Sequence, residues 1–334
     1  MNRKVVTLII LLFSINMFIS VKLCYTEDSF RFVHSKNMLQ HEPIIITSDD
    51  DLIHLDPPGS GTEEDPYVIS NLYIKGNYQV GISITNTTKY LLIINCSIDV
   101  MTQAIECINV APNTVAIKNN TIINAELGIL LFHTNSTHIT GNNLDGFTNV
   151  GIFVCSSSNL TLENNDIRNC SNGIELMYSS NIDIKNNAIY HNDYGVVVSY
   201  TSLVNITLNL FQKNSNYAIR LDNHANDNII YYNDFIENNI EKPSQAYDDG
   251  YNNTWYNLIS YEGNYWSNWV GINVYPIAGS ANAVDNHPLN KPVHEWLNVK
   301  TFGSSWCFAF IGLSLTVYTI IKTRKKKLFT VTKQ

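Results

Sequence analysis

Between residues 80 and 235, short apolar runs alternate with joints rich in Asn and Gly, on a beat of 22 to 24 residues. One phrase recurs seven times: Ile93-Ile-Asn-Cys-Ser-Ile98, Ile117-Lys-Asn-Asn-Thr-Ile122, Ile139-Thr-Gly-Asn-Asn-Leu144, Leu162-Glu-Asn-Asn-Asp-Ile167, Ile184-Lys-Asn-Asn-Ala-Ile189, Ile206-Thr-Leu-Asn-Leu-Phe211 and Ile230-Tyr-Tyr-Asn-Asp-Phe235. Its fourth position holds Cys96, Asn120, Asn142, Asn165, Asn187, Asn209 and Asn233, at intervals of 24, 22, 23, 22, 22 and 24. A second marker keeps the same period, since Gly81, Ala104, Gly128, Gly151, Gly173, Gly195 and Ala218 each open an apolar run. Two markers on one period of this length predict a solenoid.

The unit is too short for a strand–helix–strand crossover, and no segment carries an apolar stripe of period 3.6. The runs are β-branched and alternating, so Ile129, Leu131, Ile152, Val154, Ile174, Leu176, Val196 and Val198 are expected to share an inner face. The expected fold is all-β, a single-stranded parallel β-helix with one coil per period. An Asn at one corner of every coil can stack on its neighbour and supply hydrogen bonds that buried bends otherwise lack. Cys96 stands at the first rung as a small apolar substitute.

The flanks divide the chain further. Residues 1–25 carry Arg3 and Lys4 before an uncharged apolar run, the pattern of a secretory signal peptide or a retained signal-anchor. A cap or opening segment is expected over 26–66, coils over 67–240, a C-terminal cap over 241–292 and a juxtamembrane linker over 293–301. Residues 302–321 contain no charge and are long enough to cross a bilayer, and the basic tail 322–334 that follows is expected to stay cytoplasmic. The repeats are thereby placed on the extracellular or periplasmic side of a cell membrane. All 29 acidic residues lie between Glu27 and Thr301, with 12 of the 21 Lys and Arg, so that part carries 12 − 29 = −17. Such a balance excludes nucleic acid as a partner and suits cations or neutral glycans better. Eight Asn-x-Ser/Thr sequons, among them Asn86, Asn159 and Asn169, permit glycosylation. Six cysteines without a CxxC or zinc spacing indicate no disulfide framework.

Several segments together resemble the NosD-like family of β-helix proteins, which carry the carbohydrate-binding and sugar-hydrolase (CASH) repeat. Gly59-Ser-Gly-Thr-Glu-Glu-Asp-Pro-Tyr-Val-Ile69 is similar to the family's opening segment, and Gly81-Ile-Ser-Ile, Asn86-Thr-Thr-Lys-Tyr90 and Asn95-Cys-Ser-Ile98 to its first full coil. Gly263-Asn-Tyr-Trp-Ser267 and Val284-Asp-Asn-His-Pro-Leu289 resemble its closing segment. The resemblance implies a right-handed β-helix over about residues 43–292. It departs after Ser267, where family members often carry an Asp- and Gly-rich stretch suited to calcium. Trp269-Val-Gly-Ile-Asn-Val-Tyr275 stands there instead, so calcium is not expected. The aromatic residues Trp255, Tyr256, Tyr261, Tyr265, Trp266 and Trp269 are expected to plug the open end of the solenoid, with sugar stacking as the alternative.

The β-helix also hosts carbohydrate-active enzymes, whose chemistry needs convergent carboxylates or a base beside a charge-neutralising group. No carboxylate of this chain meets another at its own repeat position in the next coil, and no Asp-Pro-His motif occurs, so no catalytic residue is expected. Copper, which the family name suggests, would find its donors in His133, Cys155 and Met177 on consecutive coils. No cofactor is expected otherwise. The outward stripe Leu130, Phe132, Phe153, Met177, Tyr178, Val197 and Tyr200 is the candidate binding face, for glycans or cell-surface proteins. A flanking stretch, such as residues 26–45, is the alternative cover for it.

Overall fold

A computed structural model describes residues 38–294. The expected leader or anchor at 1–25, the apolar run 302–321 and the basic tail lie outside the described residues, as do 26–37 of the cap and 295–301 of the linker. No helix among the described residues is long and apolar enough to cross a membrane.

Each coil lays down one strand on each of three faces. The coil that begins at Val80 shows the pattern, with strands Val80–Thr85, Leu91–Ile94 and Ser97–Asp99. Stacked coils build parallel sheets of nine strands on the first face, eight on the second and ten on the third. On the first face Ile105, Ile129, Ile152, Ile174, Val196 and Ile219 are successive partners, and Cys107, Leu131, Val154, Leu176, Val198 and Leu221 follow two residues on. All twelve are fully buried, because strand side chains alternate between core and solvent and one register holds through every coil. The three-residue strands of the third face point one residue inward each: Ile98, Ile122, Leu144, Ile167, Ile189, Phe211 and Phe235. The glycine marker opens the first face because coils approach closely there. A Cβ at Gly151 would lie 2.6 Å from the Gly173 carbonyl oxygen and 2.8 Å from Ile167 Cγ2.

The first coil is closed by a short helix, Asp49–Leu55, that the sequence pattern did not predict. Seven residues are too few to show a stripe. The helix is specified instead by its cap: the Ser48 hydroxyl accepts from the Asp51 N–H, and Asp49, Asp50 and Asp51 complement the positive end of the helix dipole. Leu52 is its buried residue, set against the core. Asp49 ties the helix to the next coil, accepting from the Thr88 N–H at 2.7 Å and hydroxyl at 2.6 Å. Partial burial works against that carboxylate, but the two Thr88 bonds, with the charge and N–H of Lys89, together hold its pKa below the ordinary value.

At the other end Phe211, Phe235, Trp266 and Tyr275 stack ring on ring along the axis, with centroids 5.2, 4.0 and 4.0 Å apart. Trp255 lies tilted beside them, 6.1 Å from Trp266. Of the six aromatic residues expected as a plug, Trp255 and Trp266 are buried and Trp269 packs partly against the core. Tyr265 is half-buried. Tyr261 is not part of a plug: its left-handed turn backbone (φ 56°) accompanies a side chain 63% exposed, with the ring edge-on to His287, as is that of Tyr256. Tyr275, absent from the expectation, completes the stack.

Candidate binding face and the ladders beneath it

The corners of the solenoid are built from side-chain amides. The Asn165 Oδ1 accepts from the Asn142 N–H at 2.9 Å and from Asn142 Nδ2 at 3.0 Å, while Asn142 Nδ2 also donates to the Ile117 carbonyl. Asn120, Asn187, Asn209 and Asn233 repeat this arrangement, and Cys96 enters by its N–H, at 2.9 Å from Asn120 Oδ1, its thiol donating to the Ile69 carbonyl at 3.7 Å where an amide would. The ladder runs one rung beyond the sequence expectation, to Asn264, and ends on the buried carboxylate of Asp285. Asp285 also accepts from Trp266 Nε1 and the His287 N–H, each at 2.9 Å. Burial pushes its carboxyl above the ordinary 3.8.

Two further ladders run beside the first. Asn192, Asn214 and Asn238 bond in series from Cys170 to Gln245, each five residues after a rung of the first ladder, a spacing already present in the sequence. Thr134, Ser157, Ser179 and Thr201 form the third through their hydroxyls. Cysteine heads two of the three. Cys96, Cys107, Cys155 and Cys170 are free and buried, and burial pushes the thiols of Cys107 and Cys170 up to about 12, out of the reactive range.

The candidate face stands outside this frame. Leu130, Phe132, Phe153 and Met177 point outward from the first face and are half-buried. Val197 is 9% exposed and leaves the face, flanked in register by the longer Glu175 and Arg220. Tyr178 and Tyr200 are not strand residues. They occupy the corner after the first face with φ of 50° and 48°, and are 56% and 48% exposed. Their rings stack at 4.8 Å, one coil spacing, and His224 continues the stack at 4.3 Å from Tyr200. His224 escapes a count of columns because it sits one residue past the register of Tyr200. As for a cover, residues 38–45 do not lie over this face: Leu39–Gln40 and Ile44–Ile46 pair with Leu72–Lys75 and Val80–Thr85 and extend the sheets.

A charged cluster on the third face draws its carboxylates from different repeat positions, so no single column of the sequence shows it. Asp145 pairs in register with Arg168, and Asp166 lies two residues before it. Arg168 donates from Nε to Asp145 (3.1 Å) and from Nη1 to Asp166 (2.5 Å), Asn143 and the Tyr190 hydroxyl (3.1 Å each). The crowding raises the Asp166 and Tyr190 pKa values, burial being the first cause in each. Burial also disfavours the Arg168 charge, but Tyr190, Asp166 and Asp145 outweigh it and raise its pKa. Both carboxylates are spent on one guanidinium, which makes the cluster a clip across coils rather than an acid–base pair.

The model of one protein family, described as periplasmic copper-binding protein (NosD), matches residues 60–271. The chain belongs to the NosD family. No curated protein matches the sequence. Among solved structures, the enzymatically active domain of tailspike protein 2 from bacteriophage CBA120 is similar at 13% identity and a TM-score of 0.44, over 50% of this chain and 30% of that one. The A-module of a mannuronan C-5 epimerase from Azotobacter vinelandii is similar at 14% identity and a TM-score of 0.40, over 51% and 58%. DFA-IIIase from Arthrobacter chlorophenolicus A6 is similar at 12% and 0.38, over 71% and 63%. The chain thus spans less than two thirds of each of these structures.

The family's description raises copper, which needs several soft or borderline donors around one point. Cys155 and Met177 are cross-strand partners, but the Cys155 side chain is 9% exposed and its Sγ faces Ser156 Oγ at 3.6 Å. His133 belongs to the corner of the preceding coil, its ring edge-on to Phe132 at 4.3 Å. Among the described residues no three His, Cys, Asp or Glu side chains gather around a point. The donors at this place do not fit a copper centre.

Proposed function

We propose that this NosD-family solenoid is a membrane-tethered binding module on the outer side of the cell, whose Tyr178–Tyr200–His224 stack contacts glycans of the cell envelope. The observation that carries the reading is the exposure of stacked rings on a rigid corner. Rings stacked on one another show their edges to solvent, while the end ring, Tyr178, keeps one face uncovered, and the C–H face of a sugar ring packs on such a face. The corner is costly to furnish this way. Asn86 and Asn109 hold the same left-handed position in earlier coils, where Asn is tolerated, whereas a bulky side chain there costs about 1 kcal/mol. The platform is rigid because three ladders fix the coils behind it, so ordering it on binding costs little.

The tether rests on the sequence of 302–321 and the basic residues that follow, and the outward placement on the same asymmetry of charge. A glycan array probed with the full chain, with Tyr178→Ala and Tyr200→Ala beside it, tests the reading. Binding to neutral glycans that falls at least tenfold in either variant is expected. A chain that binds no glycan, or binds equally well without the two rings, is not a glycan module of this kind.

A further inference from the structure

The corner that carries Tyr178 and Tyr200 is occupied in earlier coils by Ser156 and His133, all four with φ between 48° and 52°. Because Phe132, Cys155, Met177 and Ser199 are in register on the strands just before it, these four residues form one column. Read along the axis, the column is therefore imidazole, hydroxymethyl, phenol, phenol. The column of ring-bearing residues is interrupted by one coil, at Ser156, and the His133 ring on its far side also lies edge-on to Phe132.

We infer that this gap is a binding slot for a single neutral pyranose ring, a reading that rests on the glycan function proposed above and locates its site. Coils are spaced by about 4.8 Å, so Tyr178 and His133 stand about 9.6 Å apart along the axis. A ring in contact with both needs about 3.5–4.0 Å on each side, or about 7–8 Å, and the remainder accommodates the pucker of a saturated ring. One face of Tyr178 is covered by Tyr200 at 4.8 Å, yet the residue is 56% exposed, which leaves its other face to the slot. Ser156 is small enough to form the back wall. Its hydroxyl stands 3.6 Å from Cys155 Sγ and still carries lone pairs for a ligand hydroxyl.

The two sides differ in chemistry. Met177 is the strand neighbour on one side. On the other, Ser158 and Ser180 pair on the second face, and Asn159 and Asn181 are exposed beside them. An apolar floor with hydroxyls and amides at one edge suits a pyranose whose hydroxyls are equatorial, since such a ring shows an unbroken C–H face and a polar rim. No Lys or Arg lies in the column or on these strand neighbours, and the chain between Glu27 and Thr301 carries −17, so a uronate would be disfavoured.

The test fills the slot. Ser156→Tyr continues the stack, while Ser156→Asn places at this position the residue that Asn86 and Asn109 already show to be compatible with it. Full chain in a detergent without a sugar headgroup is titrated by calorimetry with cellotetraose, and with an oligouronate of equal length. The expected result is binding of cellotetraose by the native chain and by Ser156→Asn, with at least a tenfold loss in Ser156→Tyr, and weaker binding of the uronate. Unchanged or tighter binding in Ser156→Tyr would overturn the slot and leave an open platform. A chain that binds array glycans but prefers the uronate would overturn the neutral class. Absence of any glycan binding by the native chain would remove the underlying function as well. Unfolding temperatures of the two variants within a few degrees of the native chain establish that a loss is not one of folding.

Discussion

At the scale of single residues, one side-chain type does two separate jobs. Asn187 lies fully inside, where its Nδ2 donates to Leu162, Lys185 and Asn209 and its Oδ1 accepts from Asn165. Each buried partner left without a bond costs about 1–3 kcal/mol, so Asn187→Ala should lower stability by about 3 kcal/mol or more, read from the urea midpoint. Asn86, at another corner in an earlier coil, is exposed and takes the left-handed conformation of a turn. The end of the first ladder adds a pH dependence. Burial raises the Asp285 carboxyl, so the native state keeps that proton to higher pH than the unfolded chain does. Stability therefore falls as pH rises from the unfolded value of about 3.9 through the raised native value, and is level above it. Asp285→Asn should flatten that slope in urea unfolding above about pH 4. The raised Asp166 carboxyl acts with the same sign and persists in the variant. An unchanged slope would assign all of it to Asp166 and its cluster.

At the scale of elements, what could be read from the sequence was whatever repeats. The period placed the first-face core, the first ladder and the columns, because one register governs every coil. The helix Asp49–Leu55 was not legible, since it occurs once and rests on a cap rather than a stripe. Ser48→Ala should cost about 1 kcal/mol and Leu52→Ala about 2–5 kcal/mol, both visible as a lower unfolding temperature. The Arg168 clip escaped because its carboxylates converge from positions two residues apart, and His224 because its coil is longer. Tyr178 and Tyr200 were legible as outward residues, but their place at a left-handed corner, and hence their stacking, follows from the backbone. The second ladder could have been found from the five-residue spacing of Asn187 to Asn192, Asn209 to Asn214 and Asn233 to Asn238.

At the scale of the whole molecule, a solenoid distributes its stability over neighbouring coils, so damage inside the frame and damage on the outer face should separate cleanly. Tyr178 is exposed, and Tyr178→Ala should change stability by less than about 1 kcal/mol while removing binding, the reverse of Asn187→Ala. The proposed tether predicts that the full chain stays with the membrane pellet through alkaline carbonate extraction. Release into the supernatant would argue against a spanning segment at 302–321. Sugar rings that pack on the Tyr178–Tyr200 corner would exchange magnetisation with its aromatic protons, a contact that saturation-transfer NMR reads. With the aromatic protons of the full chain saturated, transfer should be strongest to the axial ring protons of a bound cello-oligosaccharide and should vanish in Tyr178→Ala. Transfer that survives in Tyr178→Ala, or that is absent in the native chain, would mean that no sugar packs on this corner.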